Sequence, residues 1–299
     1  VDHEPVPPSH TPVVFDSGPR SAPVARPSRA SLRHVVAFGT LPILALGAAV
    51  LAGAAPTGGA ASIFDEINYL DEIDGLEPDA VCPEGMAFVA QGKVRVCVDR
   101  WEASLVEIGP SGEERPHSPY LSPHTATGAR IKAVSRPGVV PQAYVSKYQA
   151  EIACRAASKR LCRSEEWTAA CEGPSRTLWP YGPREDARAC NTHGRNPLAI
   201  RYGGLSRVKY GVGMQDPILN QYAGTVAKTG SFAKCTNDYG VYDMVGNLHE
   251  WTADATGTFR GGYYQDATKN MPGCRYHTTA HAPTYHDYST GFRCCADPG

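Results

Sequence analysis

Ten cysteines, all between Cys82 and Cys295, constrain this chain of 299 residues more than any other feature. Their number is even, they are scattered, and no C-x-x-C occurs. Zinc ribbons and thioredoxin-type sites need that close pair, so the pattern supports neither. It fits a disulfide framework made in an oxidising compartment. With 30 glycines and 25 prolines, much of the fold is expected as turns and irregular segments. A formal net charge of -1, with no basic stripe interleaved with aromatics, argues against a nucleic-acid partner.

Composition divides the chain. Residues 1–34 are rich in Pro, Ser and Arg without apolar periodicity and read as a disordered tail on the cytoplasmic side. Residues 35–55 form an uncharged run of 21 residues. As a helix it spans roughly 30 Å, one bilayer core. Arg20, Arg26, Arg29 and Arg33 precede it, and residues 62–79 hold seven acids with no Lys or Arg. That asymmetry leaves the N-terminus in the cytoplasm and places the C-terminal remainder of the chain outside it. Two readings stay open: a transmembrane anchor in the inner membrane, or a signal segment cut near Ala52-Gly53-Ala54 or Gly59-Ala60-Ala61, releasing a secreted domain. Residues 56–81 form a linker. Within it Ile63, Phe64, Ile67, Leu70 and Ile73 recur at helical spacing, from Ser62 to a stop at Gly75.

The globular domain is expected over 82–299. Residues 82–89 and 94–99 read as two short strands around a turn at Gly92. Residues 108–143, rich in Pro and Gly, are expected to be irregular. A helix begins at Ser146, with Gln149 three residues on in capping-box order, and carries Tyr148, Ile152 and Cys154. A second begins at Ser164. Glu165 and Glu166 suit the positive end of its dipole, Trp167, Ala170 and Cys171 share one face, and Gly173-Pro174 ends it. From Trp179 onward, loops and short strands are expected.

The segment Tyr239-Gly-Val-Tyr-Asp-Met-Val-Gly-Asn-Leu-His-Glu-Trp-Thr-Ala-Asp254 has neither helix nor strand periodicity. Aromatic anchors and glycines packed among acids read as an ordered loop that carries binding or chemistry. Further motifs accompany it in order: Val145-Ser-x-Tyr-x-Ala-x-x-x-Cys154, Lys159-Arg-Leu-x-x-x-Glu-Glu-Trp167, Trp179-Pro-Tyr-Gly182, Asn191, Gly230-Ser-Phe232, Arg260-Gly-Gly262 and Gly291-Phe-Arg-Cys294. Together, over Cys82 to Cys295, they resemble the formylglycine-generating enzyme (sulfatase-modifying factor) superfamily.

The resemblance implies an α+β, loop-rich fold related to C-type lectins. It implies a calcium site in which Asp243 and Glu250 give carboxylate oxygens and Gly246 and Leu248 give carbonyls, the hard-oxygen set calcium needs. Gly246 suits a close backbone approach there. A second calcium site would begin at Asn191 with the carbonyl of Thr192, and Asp216 is a guess at its acid. The resemblance also implies disulfides Cys154–Cys294 and Cys171–Cys274. Of the remaining six cysteines, Cys82 and Cys97 across the first hairpin are the favoured pair.

One departure bears on mechanism. The family's oxidases hold copper(I) with two cysteines after R-G-G, a ligation that suits a soft cation. Here residues 262–274 hold one, Cys274. It stands either at a copper position, as a candidate catalytic thiol, or as the partner of Cys171, and the even cysteine count favours the latter. A copper centre is therefore not expected. Arg260, His277, His281, His286 and Asp287 are expected around the family cleft, for ligand contact more than for a metal. His277 and His281 have metal-ligand spacing only if helical, and Pro283 opposes that. Asp99 and Glu102, beside Trp101, read as solvated acids at a strand edge in preference to a catalytic pair. The function expected is a divergent or non-catalytic domain binding a peptide or other ligand. The alternative is an oxidoreductase acting on protein cysteine, or another metal-dependent oxidase of the superfamily.

Overall fold

Strand β1 (Met86–Gln91) turns at Gly92 into β2 (Val94–Asp99), and the two pair antiparallel. Gly92 takes φ 59, which a side chain would oppose. The computed structural model describes residues 81–123, 130–208 and 212–299. The chain divides into two units, Val1–Ala61 and Ser62–Gly299, and every described residue belongs to the second. The tail (1–34), the apolar run (35–55) and the linker helix lie outside the described residues. No helix among the described residues is long and apolar enough to cross a membrane.

Three small sheets carry the domain. In the second, β3 (Ala103–Ile108) is flanked by β4 (Glu114–Pro116) and β5 (Arg130–Ser135), both antiparallel. The irregular segment expected over 108–143 is thus corrected at β4 and β5. The inward signal of β5 is only Ile131 and Ala133, and its partner β3 lies more than twenty residues upstream. Two apolar residues are too few for periodicity to mark a strand that long-range pairing creates.

Helix α1 (Lys147–Ala156) starts as its sequence dictates. Ser146 Oγ accepts from Gln149 N at 3.3 Å, and Gln149 Oε1 accepts from Ser146 N at 2.8 Å. Ala150, Ala153 and Cys154 are buried, whereas Tyr148 and Ile152 are half exposed. Helix α2 (Ser164–Glu172) follows the short strand β6 (Arg160–Leu161). Its buried face holds Trp167, Ala170 and Cys171, and it stops at Gly173, φ 68. A third helix, α3 (Pro197–Tyr202), capped by Asn196, occupies part of the region read as loops.

The third sheet builds the site. It has the order β10-β7-β8-β9, where β7 is His249–Trp251, β8 Phe259–Arg260, β9 His277–Thr278 and β10 Thr290–Phe292. The last strand, β11 (Cys294–Ala296), returns to the first sheet between β2 and β6.

All ten cysteines are bonded: Cys82–Cys97, Cys154–Cys294, Cys162–Cys295, Cys171–Cys274 and Cys190–Cys235. Successive strand residues face opposite sides. Cys294 therefore enters the core packed by α1, with Cys154, Phe292 and Trp251. Cys295 enters the core packed by α2, with Cys162, Trp167 and Val98. Two adjacent residues of β11 bind both halves of the interior.

Candidate functional site

The loop leading into β7 turns on left-handed residues: Asp243 (φ 57), Gly246 (φ 82) and Asn247 (φ 54). A side chain at Gly246 would collide with the carbonyl of Asn191. That carbonyl accepts from Asn247 N at 2.9 Å. Strained non-glycine positions persist only where surroundings over-determine them. Here a charged cluster does so.

At its centre is Arg293, fully buried. It forks onto Glu250, with Nε and Nη2 each 2.7 Å from the two carboxylate oxygens, and reaches the carbonyls of Asp99 (2.9 Å) and Tyr242 (2.8 Å). Trp167 Nε1 donates to Glu250 Oε2 at 2.7 Å. Glu102 accepts from the Leu248 N–H at 3.1 Å and from the Asn247 amide. Asp243 accepts from Gly230 N at 2.7 Å. Asp99 pairs with Lys159 and accepts from Cys294 N at 3.2 Å. The expectation of solvated acids at Asp99 and Glu102 is overturned, because both are buried. Their burial is a long-range effect: β11 and the 243–250 loop cover them.

Around Arg293 stand three buried carboxylates, Glu102, Asp243 and Glu250, against one guanidinium. Burial, with the neighbouring charges of Asp243 and Glu250, pushes Glu102 well up from the usual carboxylate range. Burial lifts Asp243 to about 6. This surplus of negative charge is what a bound cation would relieve. The oxygens fit less evenly. Asp243 and the carbonyls of Gly246 and Leu248 are reasonable calcium ligands, but both oxygens of Glu250 already face Arg293 or Trp167. Among the described residues, no group of three or more His, Cys, Asp or Glu is arranged to hold a metal ion.

At the second expected calcium position, Asn191 spends its amide on Thr225 O and Asn247 Oδ1, both at 3.0 Å. Asp216 is held by Arg201 (3.0 Å) and Tyr202 (2.7 Å). The acids sharing a cavity with Thr192 are Glu185 and Asp266, which sequence reasoning missed.

Cys274 is bonded to Cys171 and fully buried. The candidate catalytic thiol is thus a half-cystine, and a two-thiolate copper site does not fit these residues as bonded.

Across β7 the chemistry changes. Glu250 points into the charged cluster; its neighbour His249 points the other way, toward a cavity of about 350 Å³. His249 stacks between Phe259 and Tyr263, with ring centroids at 5.1 and 4.8 Å. His281 stacks on Tyr285 at 3.9 Å, and Tyr276 and Tyr288 complete the aromatic wall. Burial pushes the His249 imidazole down to about 3, so it is neutral. Ser289 Oγ donates to Asp287 at 2.7 Å and so accepts from His249 Nδ1 at 3.3 Å. That tautomer leaves His249 Nε2 to accept from Tyr276 Oη at 3.2 Å. Tyr276 Oη also lies 3.3 Å from Asp266 Oδ2. Asp287 accepts from Ser289 N (2.8 Å) and Tyr285 Oη (2.7 Å) as well. Burial still raises its carboxyl from the ordinary value.

Of the residues expected at the cleft, His281 and Asp287 line this cavity. Arg260 does not; it reaches Ser164 Oγ at 3.1 Å, on the α2 side. His277 is exposed on β9, so the helical spacing of His277 and His281 is not realised. The His286 carbonyl accepts from Gln215 instead. The cavity residues missed from sequence include His249, Phe259, Tyr263, Tyr276, Tyr288 and the polar Asn270, Thr278 and Ser289. His249 alone carried a signal, its place inside the loop motif.

A family model of the sulfatase-modifying factor enzyme 1-like domain matches residues 87–298. The chain belongs to that family, and its fold is α+β, loop-rich and disulfide-bonded. Among solved structures it is similar to the Major Tropism Determinant U1 variant, at 16% identity and TM-score 0.39, covering 74% of this chain and 54% of that one. It is also similar to CarF, at 14% identity and TM-score 0.40, covering 74% of this chain and 95% of that one. The chain spans about half the length of the tropism determinant. A comparison with curated proteins finds no match.

Proposed function

We propose that this chain is an exported, divergent member of its family that binds a ligand in the cavity beside His249 and does not oxidise cysteine. The observation that carries the reading is the Cys171–Cys274 bond, within a set of five bridges that uses all ten cysteines. An oxidase of the formylglycine-generating type needs free thiolates for its copper, and these sulfurs are committed. The cavity, by contrast, has the size and the mixed apolar and polar lining of a small-molecule or side-chain site. Export is supported by the bridges, which persist in oxidising compartments. Residues 35–55 would supply the membrane anchor or the signal.

Calcium belongs to the same proposal as a structural ion. Asp243 and the carbonyls of Gly246 and Leu248 would hold it, with Glu250 sharing an oxygen between the ion and Arg293. Elemental analysis of the purified protein, and its melting temperature with and without a chelator, test this point. No bound calcium and no change on chelation would remove calcium from the proposal.

The main test counts thiols in denaturant without reductant, then tracks a cysteine peptide incubated with copper and O₂. Zero thiols and no turnover are expected. Two reactive thiols, stoichiometric copper and an oxidised peptide would restore the oxidase reading.

A further inference from the structure

The cavity beside His249 has a composition that selects among ligand classes. Five of its thirteen lining residues, Phe259, Tyr263, Tyr276, Tyr285 and Tyr288, bring benzene or phenol rings, beside the imidazoles of His249 and His281. Among the described residues that line it there is neither lysine nor arginine. One of the tyrosines has a carboxylate behind it: Tyr285 donates to Asp287 at 2.7 Å. A phenol that gives its proton to an anion has a more electron-rich ring. Imidazoles cover one face of Phe259, Tyr263 and Tyr285, and the ring faces left open act in one direction with buried Asp287, favouring a positive charge inside.

The same contacts say which cation. A primary ammonium brings three N–H donors that must be satisfied when desolvated. Two of the wall's buried side-chain acceptors, Asp287 and His249, already have donors. Asp287 already accepts from Tyr285 Oη, Ser289 N and Ser289 Oγ. His249 Nε2 faces Tyr276 Oη at 3.2 Å. A quaternary ammonium has no N–H to satisfy and presents only methyl groups, which pack against rings. A volume of about 350 Å³ holds one such group on a side chain or small amine, and is too small for a folded peptide segment.

We propose that this cavity is an aromatic cage for a quaternary, methylated ammonium group. The inference rests on the ligand-binding reading above and narrows it to a ligand class. The family match alone does not require it.

The test uses the full chain with its disulfides intact. Isothermal titration compares choline with 3,3-dimethylbutan-1-ol, its neutral carbon isostere, and with ethanolamine, its primary-amine counterpart. Choline is expected to bind at least about tenfold more tightly than either, the effect of a desolvated cation–π contact. Tyr285→Leu, which removes a ring, is expected to lose about that factor, whereas Tyr285→Phe, which keeps the ring, retains most of the binding. If Tyr285→Leu does not fold, the three-ligand comparison on the unaltered protein still decides. Equal binding of choline and the neutral isostere overturns the cation cage but leaves a ligand-binding cavity. Preference for ethanolamine overturns the quaternary assignment. If choline fails to bind, the inference falls. A neutral-fragment titration monitored by the histidine NMR signals then separates the two readings. Shifts at His249 or His281 keep ligand binding, and their absence sinks both.

Discussion

His249 and Glu250 are neighbours in one strand, yet they belong to opposite kinds of interior. Behind Glu250, full charges are buried and matched by a guanidinium, an indole N–H and backbone groups. Beside His249, the polar groups are neutral or shielded, the rings dominate, and a cavity is left open. The first arrangement holds the backbone of the signature loop in left-handed conformations. The second leaves a surface for a ligand. The alternation of a β-strand lets one segment do both, and the motif is therefore as much a structural device as a functional one.

The comparison breaks first at Arg293. Arg293→Met strands Glu250 and its neighbouring acids without their counter-charge and should cost about 3–5 kcal/mol. Urea unfolding without reductant measures it. A cost below about 1 kcal/mol, the range of an exposed pair, would mean the cluster is not the loop's support. Next, replacing Cys171 and Cys274 together by alanine should cost about 2–4 kcal/mol. Ligand affinity should hold in the fraction that remains folded, since neither sulfur lines the cavity. A loss of binding with the fold intact would tie the bridge to the site. Trp167→Phe keeps an aromatic ring but loses the pyrrole part of the indole and with it the hydrogen bond to the Glu250 carboxylate, which alone is worth about 1.5–3 kcal/mol in the same urea measurement.

On the cavity side the effects shrink. Tyr285→Phe removes one hydrogen bond to Asp287 and should cost about 0.5–1.5 kcal/mol. The smallest effect is in pH. Burial raises the Asp287 carboxyl in the folded protein, so the fold binds its proton more tightly than the unfolded chain does. Its contribution is present below the ordinary aspartate value, about 3.9, and is lost as pH rises through the folded value. Asp287→Asn removes a titrating group of this kind, and stability curves at several pH values should lose that slope. An unchanged slope would place the titration elsewhere.

Much of the frame was legible from local pattern. The capping box at Ser146, the stop at Gly173 and the hairpin turn at Gly92 each involve residues within a few positions of one another. Such signals survive in sequence because the physics that produces them is local. Cys154–Cys294 and Cys171–Cys274 came from motif resemblance and are bonded in the structure. Cys162–Cys295 has no local signature, because only the alternation of β11 separates Cys294 from Cys295, and Cys190–Cys235 joins segments 45 residues apart.

The sequence by itself determined a disulfide-bonded, loop-rich domain of the sulfatase-modifying factor family with a dense loop at 239–254. Tertiary structure alone decided that Asp99 and Glu102 lie buried and that Arg293 answers Glu250. It also decided that rings from positions 249 to 288 close on one cavity while Arg260 and His277 turn elsewhere. The reason is physical: burial, charge compensation and ring packing depend on segments brought together across the chain, and a spacing rule reads only neighbours along it.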